Sequence, residues 1–358
     1  MRIALISYRL PAPGKRRGGV DHVAHNVAHG LGCRGHEVTV WSYDPKPRGA
    51  AYEVRMLPWA EFANSWLGFR LTGGYVGNVI NLLPAYEADV IIANGDSLLL
   101  PFLRKPLIRI MHGSALGEAL SASNPLRFVL QLGIYPQELL TALLQPGCAG
   151  VSRNSGRFNP FLRNVIPLGV DITQFTPALH KKTTHPSILF VGTMSGRKRG
   201  SFLLEVFSRV LRPRFPEASL MMVSEPGLAM EGVSYFNGIG RQELIELYQQ
   251  AWVYASPSQY EGFGLPYLEA MACGTPVIAT PNPGSREVLG NGDFGWLVSD
   301  TDFAERLAEL LHNPEARAGL AQSGLEQARE YSLEKMIDRY EALIGKISAG
   351  ALPANAAA

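Results

Sequence analysis

The chain has 358 residues, 46% of them hydrophobic and 18% charged, a composition that fits a globular protein of roughly two domains. A net charge of +2 with a pI near 8.4 is far from the basicity of a nucleic-acid binder, so nucleic acid is set aside as a partner. Cys33, Cys148 and Cys273 are too few, too far apart and too odd in number for a disulfide framework or a zinc cluster.

Short apolar runs alternate with helical patterns along the whole chain, which points to parallel α/β architecture. MRIALISYRL enters a strand pattern at once and shows no small-residue cleavage site. Strands are predicted over 2–7, 37–43, 89–94 and 107–111, with Val20, Val23, Val27 and Leu31 forming the apolar face of a helix between the first two. The longest apolar run, DVIIANGDSLLLPFL, is interrupted by Asn94, Asp96 and Pro101 and is shorter than the about 20 residues that cross a bilayer. Residues 164–177, NVIPLGVDITQFTP, lack periodicity and read as a linker. The pattern then restarts with strand 187–192, helix 202–210, strand 219–224, helix 242–250 and strand 252–256. A second series of this kind implies a second Rossmann-like domain. A strong helix over 333–347 precedes the low-complexity tail ALPANAAA. The expected division is an N-terminal Rossmann-like domain 1–166, a C-terminal Rossmann-like domain 167–331, a crossover helix 332–348 packing back on the first domain, and a disordered tail 349–358.

Two such domains facing each other would bind a ligand in the cleft at the carboxyl ends of their strands. Neither first strand is followed by the glycine spacing of a dinucleotide site or a P-loop: the chain reads YRLPAPGKRRGG and VGTMSGRKRG instead. Oxidoreductase and ATPase chemistry are thereby disfavoured. In the stretch SPSQYEGFGLPYLEAMACGTP, Pro266 suits the first turn of a helix and Gly274 its end. The free N–H groups of Gly262-Phe263-Gly264 and the first helical turn make an anion site. Glu261 and Glu269 on either side would oppose a phosphate, but as acceptors they suit the vicinal hydroxyls of a sugar or ribose. Arg197 and Lys198 supply the missing positive charge. Anion site, diol acceptors and cations together describe a nucleoside diphosphate sugar.

These residues resemble the motif of two glutamates with seven residues between them in retaining glycosyltransferases of family 4, which have the two-Rossmann glycosyltransferase B fold. GGVDHVAHNVAHGLGCRGHEVTV resembles that family's Gly-Gly loop, first helix and entry to the second strand. VIPLGVDITQFTP resembles its interdomain segment, with Leu168 in place of an asparagine, and LFVGTMSGRKRGSFLLEVF its phosphate-binding loop. The similarity runs over most of 1–345 and is strongest over 186–298. The resemblance implies that Glu269 holds the ribose diol, Glu261 faces the donor sugar, and backbone amides of Gly262, Phe263 and Gly264 contact sugar and phosphates, with Leu265 near the ribose. It also implies that Lys198 and Arg197 neutralise the leaving diphosphate, that His112 contacts the donor sugar, and that Gly18 and Gly19 approach phosphate and acceptor. Thr193 stands where many relatives have an arginine, so the phosphate clamp is expected to be weaker or rebuilt with Arg197 or Arg199. Transfer with retention is pictured as front-face displacement, in which the departing phosphate takes the acceptor's proton and no enzyme nucleophile is needed.

Three other groupings have plainer readings. His22, His25 and His29 share a helical face opposite the apolar one and read as a solvated stripe. Asp300 and Asp302 mimic a metal-binding pair, yet Glu305 lies three residues after Asp302, as in a helix cap. Trp59, Phe62, Trp66 and Phe69 share a face and read first as core, with a hydrophobic-acceptor surface beside Lys15, Arg16 and Arg17 as the alternative.

The expectation is therefore a metal-independent, retaining hexosyltransferase without a cofactor. Its donor would be a nucleoside diphosphate sugar, with uridine or guanosine as the base, and its acceptor a glycan, lipid-linked or small molecule. It is expected in the cytoplasm, with peripheral attachment to the inner face of the membrane left open. A non-catalytic sugar-nucleotide-binding subunit and an epimerase or phosphorylase on the same fold are the rival readings.

Overall fold

Residues Arg2–Ile6 (β1) bury four of five side chains and Val90–Ala93 (β4) bury all four, as central strands of a parallel sheet covered on both faces must. Around them the computed structural model, which describes residues 1–11, 19–57, 75–120 and 124–350, builds two units, Met1–Pro167 with Glu334–Ala358, and Leu168–Leu333.

In the first unit the described elements follow as β1, α1 (Gly19–Cys33), β2 (Glu37–Ser42), β3 (Glu53–Met56), α2 (Tyr75–Ile80), β4, β5 (Leu107–Met111), α3 (Ala115–Leu120), α4 (Pro125–Leu144), β6 (Cys148–Gly150), α5 (Arg153–Phe158) and β7 (Asn164–Val165). The strands form one parallel sheet in the order β3-β2-β1-β4-β5-β6-β7. Strand order reverses between β1 and β4, and open sheets of this kind take ligands just outside the carboxyl ends at such a point. Helix α1 buries Val23, Ala24, Val27, Ala28 and Leu31. Val20, expected on that face, lies in the first turn of the helix and is 43% exposed.

The second unit contains β8 (Ser187–Val191), α6 (Gly200–Val206), β9 (Ser219–Val223), β10 (Val233–Tyr235), α7 (Arg241–Gln250), β11 (Val253–Ser256), α8 (Leu265–Ala272), β12 (Val277–Ala279), α9 (Pro283–Val288), β13 (Trp296–Leu297), α10 (Phe303–His312) and α11 (Pro314–Glu330). Its parallel sheet runs β10-β9-β8-β11-β12-β13 and reverses between β8 and β11. Ile188, Phe190, Leu203, Phe207, Leu220, Val253 and Phe303 are among its core residues. The helix expected over 202–210 begins at Gly200 and changes at Phe207 to a wider π-helical turn. The stretch expected as a linker is partly structured. β7 closes the first sheet, and Val170 exchanges backbone bonds with Tyr331 and Leu333 in the second unit.

The last helix, α12 (Leu333–Ser348), buries Met336, Ile337, Tyr340, Leu343 and Ile344. Arg34, just beyond α1, ties it to the first unit through Glu341 at 2.5 Å and Asp338 at 2.7 Å, and His36 Nε2 lies 3.0 Å from Glu341. Trp59, Phe62, Trp66, Phe69, Lys15, Arg16, Arg17, Gly18 and the end of the tail lie outside the described residues.

Candidate active site

Glu261 sits in the loop after β11, at the carboxyl end of the sheet beside the β8/β11 reversal. It is 6% exposed. Its Oε1 pairs with Lys198 Nζ at 2.5 Å and its Oε2 with Arg197 Nη1 at 2.9 Å. Both cations come from a single 3-10 turn, Gly196–Lys198, after β8. Arg197 Nη1 also donates to the Tyr260 carbonyl at 2.7 Å, and Gln259 N–H donates to the Arg197 carbonyl at 2.9 Å. The two loops are thus stitched by side chain and backbone. Burial alone would raise the Glu261 carboxyl; the Lys198 charge, and then Arg197, outweigh it and hold the group below the ordinary carboxylate range.

Glycine makes the loop between the glutamates buildable. Gly264 has φ 105°, in the left-handed region, directly before α8, and a Cβ there would meet the Tyr267 ring at 2.4 Å. Gly284, in the first turn of α9, lets that helix approach so closely that a Cβ would lie 2.4 Å from the Phe263 carbonyl and 2.8 Å from Glu261 Cβ. Gly284 N–H donates to the Glu261 carbonyl at 3.1 Å. Gly262 and Leu265 are half-buried. Phe263 is 3% exposed and its ring packs against Tyr331 at 5.7 Å, so only its backbone is free to serve a ligand.

Glu269 lies one turn into α8, half-buried, and accepts a hydrogen bond from the fully buried Tyr248 hydroxyl at 3.0 Å. Burial pushes its carboxyl up, offset only in part by that bond and by the charges of Arg241 and Lys198. One glutamate is therefore neutralised by cations and the other is not. Its Oε1 remains as an acceptor.

Other expectations are corrected. Asp302 occupies the residue before α10, but its side chain accepts no helix N–H. It takes a bond from Ser299 Oγ at 2.6 Å instead. Glu305 does not reach back, because Arg214 holds it through two 2.6 Å bonds. Asp300 pairs with Arg199 at 2.8 Å. Arg199 itself has φ 57°, a strained value for a side-chain-bearing residue, and its guanidinium stacks on Phe202 at 4.4 Å. Thr193 is exposed, and its hydroxyl donates to the Ser195 carbonyl at 2.8 Å. The histidines of α1 are not a solvated stripe. All three are half-buried; His25 Nδ1 meets the Tyr52 hydroxyl at 2.8 Å and His29 Nδ1 accepts from Ala51 N–H at 3.1 Å.

The first unit carries its own cluster at the carboxyl end of its sheet. Ser7, Asn94 and His112 directly follow β1, β4 and β5. Asn94 Nδ2 donates to Ser7 Oγ at 3.2 Å and to the Val20 carbonyl at 3.3 Å, so its Oδ1 is turned to His112 Nε2, 2.6 Å away. Nε2 must then carry the proton, and Nδ1 is left as an acceptor. Burial, helped by the Arg109 charge, pushes the His112 imidazole down to about 4. The Asn94 bond to Val20 also fixes the exposed first turn of α1, where Gly19 sits. Asn94, Ser7 and Tyr248 were missed in the sequence, and so was the pairing of Asp300 with Arg199. Strand-end position was the available signal for the first two.

Two parallel-sheet Rossmann-like units, each with its polar cluster at a strand-order reversal, define the glycosyltransferase B fold. Residues 171–327 match the family model described as "Glycosyl transferases group 1". The chain is 31% identical over 216 residues to D-inositol 3-phosphate glycosyltransferase of Corynebacterium urealyticum, covering 50% of this chain and 51% of that protein. It is 31% identical over 211 residues to MMP alpha-(1->4)-mannosyltransferase of Mycolicibacterium hassiacum, covering 53% and 51%. The chain thus spans about half the length of the curated relatives it matches. Among solved structures, sucrose-phosphate synthase from Thermosynechococcus elongatus superposes with a TM-score of 0.77 at 20% identity, over 98% of this chain and 99% of that one. WaaG, a glycosyltransferase involved in lipopolysaccharide biosynthesis, superposes at 0.69 and 17% identity, over 96% and 99%. These likenesses carry the fold.

Proposed function

We propose that the protein is a retaining glycosyltransferase of the family 4 kind, moving a hexose-type sugar from a uridine or guanosine diphosphate sugar to a glycan, lipid-linked or small-molecule acceptor. The observation that carries this reading is the closure of Arg197 and Lys198 on the buried Glu261, beside Gly264 at the start of α8. It holds two cations and a run of amides where a leaving diphosphate needs stabilising. The unneutralised Glu269 is suited to a ribose diol, and Glu261 to the sugar's hydroxyls. Gly262, Phe263, Gly264 and Leu265 serve through their backbones. In the first unit, neutral His112 offers Nδ1 to a sugar hydroxyl, and Gly18 and Gly19 approach phosphate and acceptor. The departing diphosphate accepts the acceptor's proton, so no protein nucleophile is assigned.

The reading needs no divalent metal. Asp300 and Asp302, the paired acids of a metal-dependent alternative, are engaged with Arg199 and Ser299. The direct test is a thermal-shift panel of uridine, guanosine and adenosine diphosphate sugars, followed by donor hydrolysis without acceptor. One base should stabilise the protein strongly and its sugar should be released slowly. Binding without any hydrolysis or transfer would leave a non-catalytic sugar-nucleotide subunit. Interconversion of the sugar nucleotide alone would mark an epimerase.

A further inference from the structure

Helix α4 (Pro125–Leu144) leaves most of the apolar side chains of its first half exposed. Leu126, Val129 and Leu130 are 67%, 63% and 57% exposed, and Phe128 and Leu132 are exposed beside them. At about 100° per residue these five side chains fall within one arc of about 200°, broader than the stripe of about 100° with which a surface helix meets a core. Glu138 Oε2 accepts the N–H of Ala115, the first residue of α3, at 2.6 Å. That bond places Glu138 near the end of β5, so residues 125–137 stand about 19 Å past it at 1.5 Å per residue.

The surroundings are basic. The unit that bears α4 holds 20 Lys and Arg against 13 Asp and Glu, whereas Leu168–Leu333 holds 13 against 18. Between 121 and 167 the one acid is Glu138, which is 4% exposed. Arg127, Arg153, Arg157 and Arg163 are all exposed there, Arg127 pairing with Glu118 of α3 at 2.5 Å. Phe158 accepts the Tyr135 hydroxyl at 2.6 Å and Asn159 donates to the Glu138 carbonyl at 3.3 Å, so Arg157 and the exposed Phe161 lie beside the middle of α4. A two-fold contact between copies would bring these arginines against one another, with Glu118 of this surface already engaged by Arg127. An anionic lipid interface satisfies both features, taking a broad apolar arc at the acyl boundary and arginines at the headgroups. Among the described residues no helix is long and apolar enough to cross a membrane.

We propose that the first half of α4 inserts into the interface of an anionic bilayer and docks the chain there, with Arg157 and its neighbours at the headgroups. The helix projects from the same sheet edge as Ser7, Asn94 and His112. A lipid-linked acceptor follows from this only if the transfer reading above holds.

The test is co-sedimentation of the full chain with vesicles of phosphatidylglycerol and phosphatidylcholine, and with phosphatidylcholine alone. Wild type should partition onto the anionic vesicles, more weakly in high salt. The triple substitution Leu126→Gln, Val129→Gln, Leu130→Gln should lower that partition by about tenfold or more, with Tm unchanged because the residues are exposed. Leu130→Trp should show a blue-shifted emission on adding the same vesicles. No partition by wild type, or equal partition by the triple variant, overturns the proposal. So does a dimer in lipid-free sedimentation velocity that the triple variant abolishes, since the surface would then be an interface between copies. No nucleotide sugar enters the assay, so its failure is distinct from failure of the transfer reading.

Discussion

Glu261 and Lys198 form a 2.5 Å ion pair whose carboxylate side chain is 7% exposed and whose ammonium side chain is 16% exposed. The acid engages the two cations that are proposed to meet the leaving diphosphate, and keeps them satisfied meanwhile. Breaking a buried pair by deleting one partner costs about 3 kcal/mol or more. Glu261→Gln should therefore lower Tm, and a nucleoside diphosphate should restore it by taking over Lys198 and Arg197. Calorimetry should find diphosphate affinity unchanged or tighter, while donor turnover falls by about a hundredfold, the scale of one lost transition-state contact. A parallel loss of affinity and turnover would mean that Glu261 only braces the loop.

Glu269 behaves in the opposite sense. Its folded carboxyl is raised by burial, so above the ordinary carboxylate range the folded state pays for holding it ionised. That cost fades as pH falls through the raised value, because the folded state then binds the proton more readily than the unfolded one. Glu269→Gln keeps an acceptor for Tyr248 and should raise Tm at neutral pH, the gain shrinking in acid. It should also lose the wild-type preference for a ribose over a 2′,3′-dideoxy nucleotide, which titration of both ligands would reveal. Retention of that preference rules out the diol assignment.

His112 is held neutral, down to about 4 from an ordinary 6.5. Over that interval the unfolded chain binds a proton that the folded chain refuses, so stability falls as pH drops from about 6.5 towards 4, by about 3 kcal/mol in all. Turnover should show no inflection near 6.5, because the imidazole is an acceptor throughout the range. Melting curves and pH–rate profiles of wild type and His112→Asn should separate the two statements. An inflection near 6.5 that His112→Asn removes would show a titrating imidazole.

Local pattern made the fold and the motif around Glu261 and Glu269 readable. The alternating apolar runs show parallel strands, and Gly264-Leu265-Pro266 marks a helix start whatever surrounds it. Contacts between distant residues were not readable: Tyr248 with Glu269, Asp300 with Arg199, and Asn94 with Ser7 and His112 exist only once the loops converge at the sheet ends. The capping pattern at Asp302 and Glu305 misled because Ser299 and Arg214 compete for the same carboxylates. β6, β7 and β13 have three residues or fewer, too short for a period of two to appear.

Asp300 allows a decision between two roles, metal ligand and loop anchor. Its carboxylate grips Arg199, whose left-handed backbone ends the turn that presents Arg197 and Lys198. A conformation of that kind costs about 1–3 kcal/mol and persists only when surrounding contacts enforce it. Asp300→Asn should loosen the turn, raising KM for the donor several-fold with a smaller change in kcat, and Arg199→Gly should partly rescue the double variant by removing the need for enforcement. These shifts should be the same in excess EDTA and with added magnesium or manganese, and wild-type transfer should survive the chelator. Lys198→Ala, by contrast, should lower turnover by about two orders of magnitude at any metal concentration. Wild-type activity that disappears in EDTA and returns with metal, together with an Asp300→Asn enzyme that does not respond to the add-back, would assign Asp300 to a cation and overturn the metal-free mechanism.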